Sequence, residues 1–322
     1  MLRRQRFSGA MRVAMMGNER SGSAESSAPA VVGGVVTDHP QRSTPTGGIV
    51  VGVDDSASAR AAVAWAAAEA DRRALELHLV EVLPSAGGSG GTDGVPHGRA
   101  RALLFRAAGI AHARCPSLPV TMETVSGRVG PALVAYSAHA DLLVVGSNGP
   151  GGPIPLSLGS ILGEVTAHAE CPVVLVPTTE TRSRAWTGPI LVALDGTPDG
   201  ERALVFAADA AHRRGVALVT LSAAAERSDP AGSVDTQEVG ATAAARIRED
   251  HPGLTIQAQD IAGQPDDALL RAGTDAALIV IPARHRGLRV AGASGAWTNR
   301  FLPVLSSCPV AVVPAHRSGD MP

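Results

Sequence analysis

Gly146, Gly149 and Gly159, followed at once by Ser160, recur at a fixed spacing after a Val/Leu run, in LLVVGSNGPGGPIPLSLGS. A strand ending at Gly146 could let bare backbone approach a ligand closely. A helix opening near Gly159 and Ser160 has unpaired N–H groups and the positive end of its dipole there, which together seat an anion. Ser160 adds a hydroxyl. Successive amides can cradle phosphate without a lysine, and this chain has none: all 28 basic residues are Arg. That excludes a Walker-type loop, whose lysine reaches the β- and γ-phosphates, and Schiff-base chemistry on lysine. A plain surface loop joining strand to helix would show the same glycines, so the spacing alone leaves both readings open. Asp54, the first Asp of GGIVVGVDD, is equally two-sided: it could meet a ligand or cap the helix that follows.

Other chemistries find no support. His78, His97, His112, His139 and His168 show no paired ligand spacing, and no GxSxG turn appears. Cys115, Cys171 and Cys308 are far apart and form no CxxC pair; Cys171 and Cys308 each precede Pro and an apolar run, as packed residues at strand starts do. A net charge of −2 argues against general nucleic-acid or anionic-membrane binding, and no apolar run reaches the ~18 residues of a membrane span. The Arg-rich start lacks the apolar stretch of a signal peptide, so a cytoplasmic location is expected.

The elements that must position these residues occur twice. GGIVVGVDDSASARAAVAWAAAEADRR (47–73) and GPILVALDGTPDGERALVFAADAAHRR (188–214) match in order and type. Each is a short apolar strand, an Asp, a polar turn and an Ala-rich helix ending in two Arg. ADLLVVG and CPVVLVP close the first copy, AALIVIP and CPVAVVP the second. The first copy predicts strands near 48–53, 75–83, 119–125, 141–146 and 172–177, and helices near 57–73, 97–114, 129–138 and 159–169. Ser56 or Ser58 is the expected N-cap of the first helix. The second copy predicts strands near 189–194, 216–222, 254–260, 276–281 and 309–314. Continuous apolar strands alternating with helices imply parallel sheets buried on both faces, an α/β architecture of two tandem doubly wound domains. The expected boundaries are a disordered tail over 1–46, a first domain over 47–178, a linker over 179–187, a second domain over 188–315 and a tail over 316–322.

The spacing G-x2-G-x9-G-(S/T), with the preceding VVG, the following CPVVLVP and VGVDDS at the first strand, resembles the nucleotide loop of ATP-binding universal stress proteins. The resemblance covers 48–177. It implies a five-stranded parallel sheet of order 3-2-1-4-5 in each domain and ATP, with or without Mg2+, as ligand. Carried over position by position, Asp54 would sit at the adenosine end and Val82 against the adenine. Gly146 and Gly149 would line ribose and phosphates, and Gly159, Ser160 and Ile161 would hold the phosphates. Gly127 would border the pocket or serve a turn. Pro150 stands where family loops often carry Arg. In the second copy Asp195 is kept, but Pro282 and His285 replace the first two glycines, so that loop is expected to be degenerate and its domain to serve assembly. The resemblance also implies antiparallel pairing of the two final strands within the chain, and a homodimer of two chains. A nucleotide-binding regulatory module is the leading functional reading. A slow ATP hydrolase and an assembly module with vestigial loops are the alternatives.

Overall fold

The computed structural model describes residues 47–84, 94–147, 160–178, 186–194, 197–223, 236–261, 269, 271–283 and 306–315. All lie in the compact unit from Gly34 to Pro322. The first repeat contributes β1 (Ile49–Gly52), α1 (Ala57–Arg73), β2 (Leu77–Leu83), α2 (Gly94–Arg114), β3 (Val120–Ser126), α3 (Val129–Ser137), β4 (Leu142–Gly146), α4 (Ser160–His168) and β5 (Val173–Val176). The second contributes β6 (Ile190–Leu194), α5 (Pro198–Arg214), β7 (Leu218–Ala223), α6 (Thr236–Asp250), β8 (Ile256–Ile261), β9 (Leu278–Pro282) and β10 (Val310–Val313). Helix α2 starts at Gly94, three residues before the expected start. Its Pro96 falls in the first turn, where a helix has no use for that N–H.

The ten strands form one sheet in the order β3-β2-β1-β4-β5-β10-β9-β6-β7-β8. Each half is therefore 3-2-1-4-5, parallel throughout. The halves meet through β5 and β10, the only antiparallel pair among the described residues, where Val310 faces Leu175, Ala311 faces Val174 and Val312 faces Val173. Side chains alternate between two cores, as strand geometry requires. Ile49, Val51, Leu77 and Leu79 pack under α1 and α2, with Ala203 and Ala207 of α5 in the same cluster. Val50, Val80, Leu143 and Val145 pack with Leu133 of α3 and Val165 of α4.

Ser56 caps α1: its Oγ accepts from Ala59 N at 3.0 Å. Thr197 caps α5 the same way, accepting from Gly200 N at 3.2 Å. Both helices end in a left-handed residue, Ala74 at φ 54° and Gly215 at φ 63°. Only glycine takes that region without a Cβ penalty, so α1 ends under more strain than its repeat.

Across the seam, α1 and α5 clasp each other. Arg73 lies over the Phe206 ring at 5.5 Å and Arg214 over the Trp65 ring at 5.3 Å. Each partner sits 141 residues from its equivalent, so a pseudo-twofold relates the two stacks. Glu69, only 1% exposed, is the shared anion. It accepts from Arg73 Nε at 2.7 Å and lies 2.6 Å from Arg214 Nη2, an ionic contact without hydrogen-bond alignment. Burial pulls the Arg214 guanidinium down to about 10, against the opposing pull of Glu69. Removing one member of a buried ion pair strands the other. Glu69→Ala should therefore cost about 3–5 kcal/mol, read as a lower urea midpoint.

A second polar group ties the outer strands to α3. His78 Nε2 lies 3.2 Å and Tyr136 Oη 2.6 Å from Glu123 Oε2, while His78 Nδ1 meets Thr121 Oγ1 at 2.5 Å. The His78 bond, outweighing desolvation and helped by Tyr136, holds the Glu123 carboxyl below the usual glutamate range. A depressed carboxylate stabilises the fold fully above the unfolded pKa of about 4.3 and loses that contribution as pH falls through the folded pKa. Glu123→Gln should thus be less stable than wild type at pH 7, with the gap closing as the pH is taken below 4. A gap independent of pH in urea titrations would contradict this.

Candidate functional site

The carboxyl ends of β1 and β4 lie side by side, because β1 pairs with both β2 and β4. This is the point where the strand order reverses, and open α/β sheets bind ligands there. Asp54 follows β1 directly. Its Oδ1 accepts from Ser56 N at 2.9 Å, which fixes the turn into α1. The helix cap itself is Ser56, so Asp54 braces the turn and is not the cap.

Val82 contributes in a way its side chain does not show. The side chain packs with the core under α3. The backbone is another matter. Val80 O accepts from Val53 N, whereas Leu83 O accepts from Gly127 N. Peptide groups alternate along a strand, so residues 80 and 82 turn their N–H and C=O toward β1, and 81 and 83 toward β3. The β1 register ends at Gly52 opposite Val80. Val82 therefore presents an N–H and a C=O to the space beyond the end of β1, beside Asp54.

Gly146 is glycine for a protein reason. A Cβ there would lie 2.5 Å from Ser58 Oγ and 2.7 Å from Ala59 N, in the first turn of α1. Close strand–helix packing, not only ligand approach, requires it. Gly127 is a turn residue at φ 154° with open space around it, donating to Leu83 O at 2.8 Å. Ser160 opens α4, and Ile161 in its first turn is 41% exposed. Gly149, Gly159 and Asp195, with Pro150 and His285, lie outside the described residues.

Two polar residues that the sequence reading passed over stand at this end of the sheet. Ser147 extends β4, its N–H donating to Val176 O at 2.9 Å. The residue is 4% exposed, and among the described residues its Oγ has no hydrogen-bond partner. Glu81, on β2, also has a buried, unpartnered oxygen, Oε2. Desolvation pushes its carboxyl up, against the pull of Arg99 and with a further push from Asp55. A groove of about 390 Å3 opens between α1 and α2, over Val63, Leu103 and Ile110, with Asp54, Arg60 and Arg106 among its lining. It lies on the opposite side of the sheet from α4. Among the described residues no three His, Cys, Asp or Glu side chains are grouped to hold a metal, and no helix is long and apolar enough to cross a membrane.

The universal stress protein family model matches residues 47–177 and again 187–314. The chain belongs to the universal stress protein family. A universal stress protein of Mycobacterium tuberculosis is 32% identical over 259 residues, 74% of this chain and 87% of the relative. One of Mycobacterium bovis is 28% identical over 292 residues, 84% and 97% of the two chains. Among solved structures, a universal stress protein from Archaeoglobus fulgidus superposes with a TM-score of 0.63 at 16% identity. That match covers 84% of this chain and 98% of the other, and shows the shared fold. The family match falls on both repeats, so the duplication seen in the sequence is a duplication of the family domain.

Gly146→Ala tests the packing role. Its Cβ would meet helix backbone, which cannot swing aside, and overpacking of this kind costs roughly 1–3 kcal/mol. The thermal midpoint of the ligand-free protein should fall by several degrees. An unchanged midpoint would assign Gly146 to ligand approach alone.

Proposed function

We propose that this universal stress protein is an ATP-binding regulatory module, with nucleotide held in the first domain and the second domain (188–315) serving mainly assembly. The observation that carries the reading is the unused backbone edge of Val82 beside Asp54. A donor and an acceptor, fixed 2–3 Å apart in projection by the peptide geometry, match the ring nitrogen and amino group of an adenine edge. Asp54 has one oxygen engaged by Ser56 N and a second to offer a ribose hydroxyl. Ser160 opens a nine-residue helix, whose first amides and dipole suit phosphate. In this reading the adenosine-end and phosphate-end groups flank one crevice at the carboxyl ends of β1 and β4. Gly149 and Gly159 complete the loop in this reading, and Ile161 flanks it. Mg2+ would ride on the phosphates with few protein ligands, as that ion usually does. A regulatory role fits a site with no nucleophile–base pair among the described residues, and two chains joining as a four-domain dimer belong to the same reading.

Calorimetry with ATP tests it. The wild type should bind one ATP per chain. Gly159→Val, which puts a β-branched side chain in the path of the phosphates, should lose at least about tenfold in affinity, equal to ~1.4 kcal/mol. Asp54→Ala should lose a similar amount. Wild-type affinity in Gly159→Val would refute the site, and two ATP per chain would refute the passive role of the second domain.

A further inference from the structure

We infer that Ser147 is a phosphate-binding residue of the nucleotide site, its hydroxyl donating to a phosphate oxygen held at the first turn of α4. The inference rests on the ATP reading and adds a side-chain donor that the glycine pattern does not mark. Three observations converge on it. Ser147 is 4% exposed, and among the described residues its Oγ has no hydrogen-bond partner. A buried hydroxyl left unpaired costs free energy, so native structures seldom keep one without a use. The second observation is direction. Ser147 N donates to Val176 O, so the residue continues the β4 strand. Leu143 and Val145 point into the core that contains Val165 of α4, and Leu162 of α4 packs on the same core. Two residues on from Val145, Ser147 faces that same side, the side on which α4 begins at Ser160. Gly146, one residue earlier, faces α1 instead. The third is chemistry. The chain has no lysine, which leaves arginines and hydroxyls as the side-chain donors for phosphate. A hydroxyl shielded from water donates strongly to a charged oxygen.

The apo and bound states make opposite demands on this hydroxyl, and that separates a binding role from a structural one. Without ligand, replacing an unpaired buried hydroxyl with a methyl is neutral or stabilising. With ligand, the same change removes a bond to a charged acceptor. Ser147→Ala should therefore keep or raise the thermal midpoint of the ligand-free protein, and should weaken ATP and tripolyphosphate binding about tenfold or more. Adenosine, which has no phosphate, should bind Ser147→Ala and wild type alike. Ser147→Thr should keep most of the ATP affinity. Calorimetric titration of the full chain and both variants with ATP, adenosine and tripolyphosphate decides the matter. Equal ATP affinity in wild type and Ser147→Ala overturns the assignment while leaving the nucleotide reading intact. An equal loss for ATP and adenosine overturns it too, by moving the hydroxyl away from the phosphates. A wild type that binds neither ATP nor tripolyphosphate overturns both readings together.

Discussion

Three residues of β5 and three of β10 pair in opposite directions, and the long-range architecture depends on that seam. Each repeat alone is a five-stranded parallel sheet whose last strand is apolar on both faces, with its outer backbone edge bare. Such an edge is an invitation to pair. The seam satisfies both edges at once and turns two sheets into one. The α1–α5 clasp lies under the seam and fixes its rotation. Two arginine–aromatic stacks related by a pseudo-twofold flank a single buried carboxylate, Glu69. The repeat equivalent of Glu69 is Ala210, so the symmetry is broken at its centre. Glu69 serves arginines from both halves, and so does the more exposed Asp209, which meets Arg73 and Arg213; neither carboxylate has an acidic equivalent in the other repeat, which suits unlike halves held in one chain better than two copies of the second half.

The same helix joins the seam to the candidate site. Its last turn carries Arg73 into the clasp. Its first turn presses on Gly146 so closely that a methyl group would collide with backbone. The carboxyl ends of β1 and β4 are therefore shaped from behind by α1. In the proposed reading the ligand lies toward Val82, Ser147 and the opening of α4. The alternation of strand side chains allocates these residues: Gly146 to the helix behind, Ser147 to the face where phosphate would come, and the backbone of Val82 to the gap between.

Much of this was legible in the residues. The repeated strand–Asp–helix unit gave the duplication, and the near-continuous Val/Leu strands gave a parallel sheet buried on both faces. Ser56 is one of the two serines expected at the cap. What escaped needed three-dimensional parity or distant partners. Glu69 and Arg73 look like an ordinary i,i+4 surface pair on an Ala-rich helix; nothing local says that Arg214 will bury them. Ser147 reads as filler between two glycines until its hydroxyl is found buried and alone. Val82 looks like plain core, and its side chain is; only the hydrogen bonds of residues 80 and 83 reveal where its peptide groups point. His78 shows no ligand spacing in the sequence. It is core, and its partners Thr121, Glu123 and Tyr136 come from two other elements, which is why no local pattern announced them.

The seam also has a consequence in time. β5 is complete at Val176, but its partner begins at Val310, about 130 residues later. At a synthesis rate of roughly 5–20 residues per second, the first half can fold on the ribosome while its edge waits on the order of ten seconds for a match. During that interval the exposed row is Val173, Val174, Leu175 and Val176, with no charge or proline within it. Neighbouring nascent chains on one message would present the same row to each other at high local concentration. The duplicated fold therefore gains an internal partner at the cost of a period in which the wrong partner is nearer, and the cell's holding chaperones would be expected to meet this chain at that stage of its making.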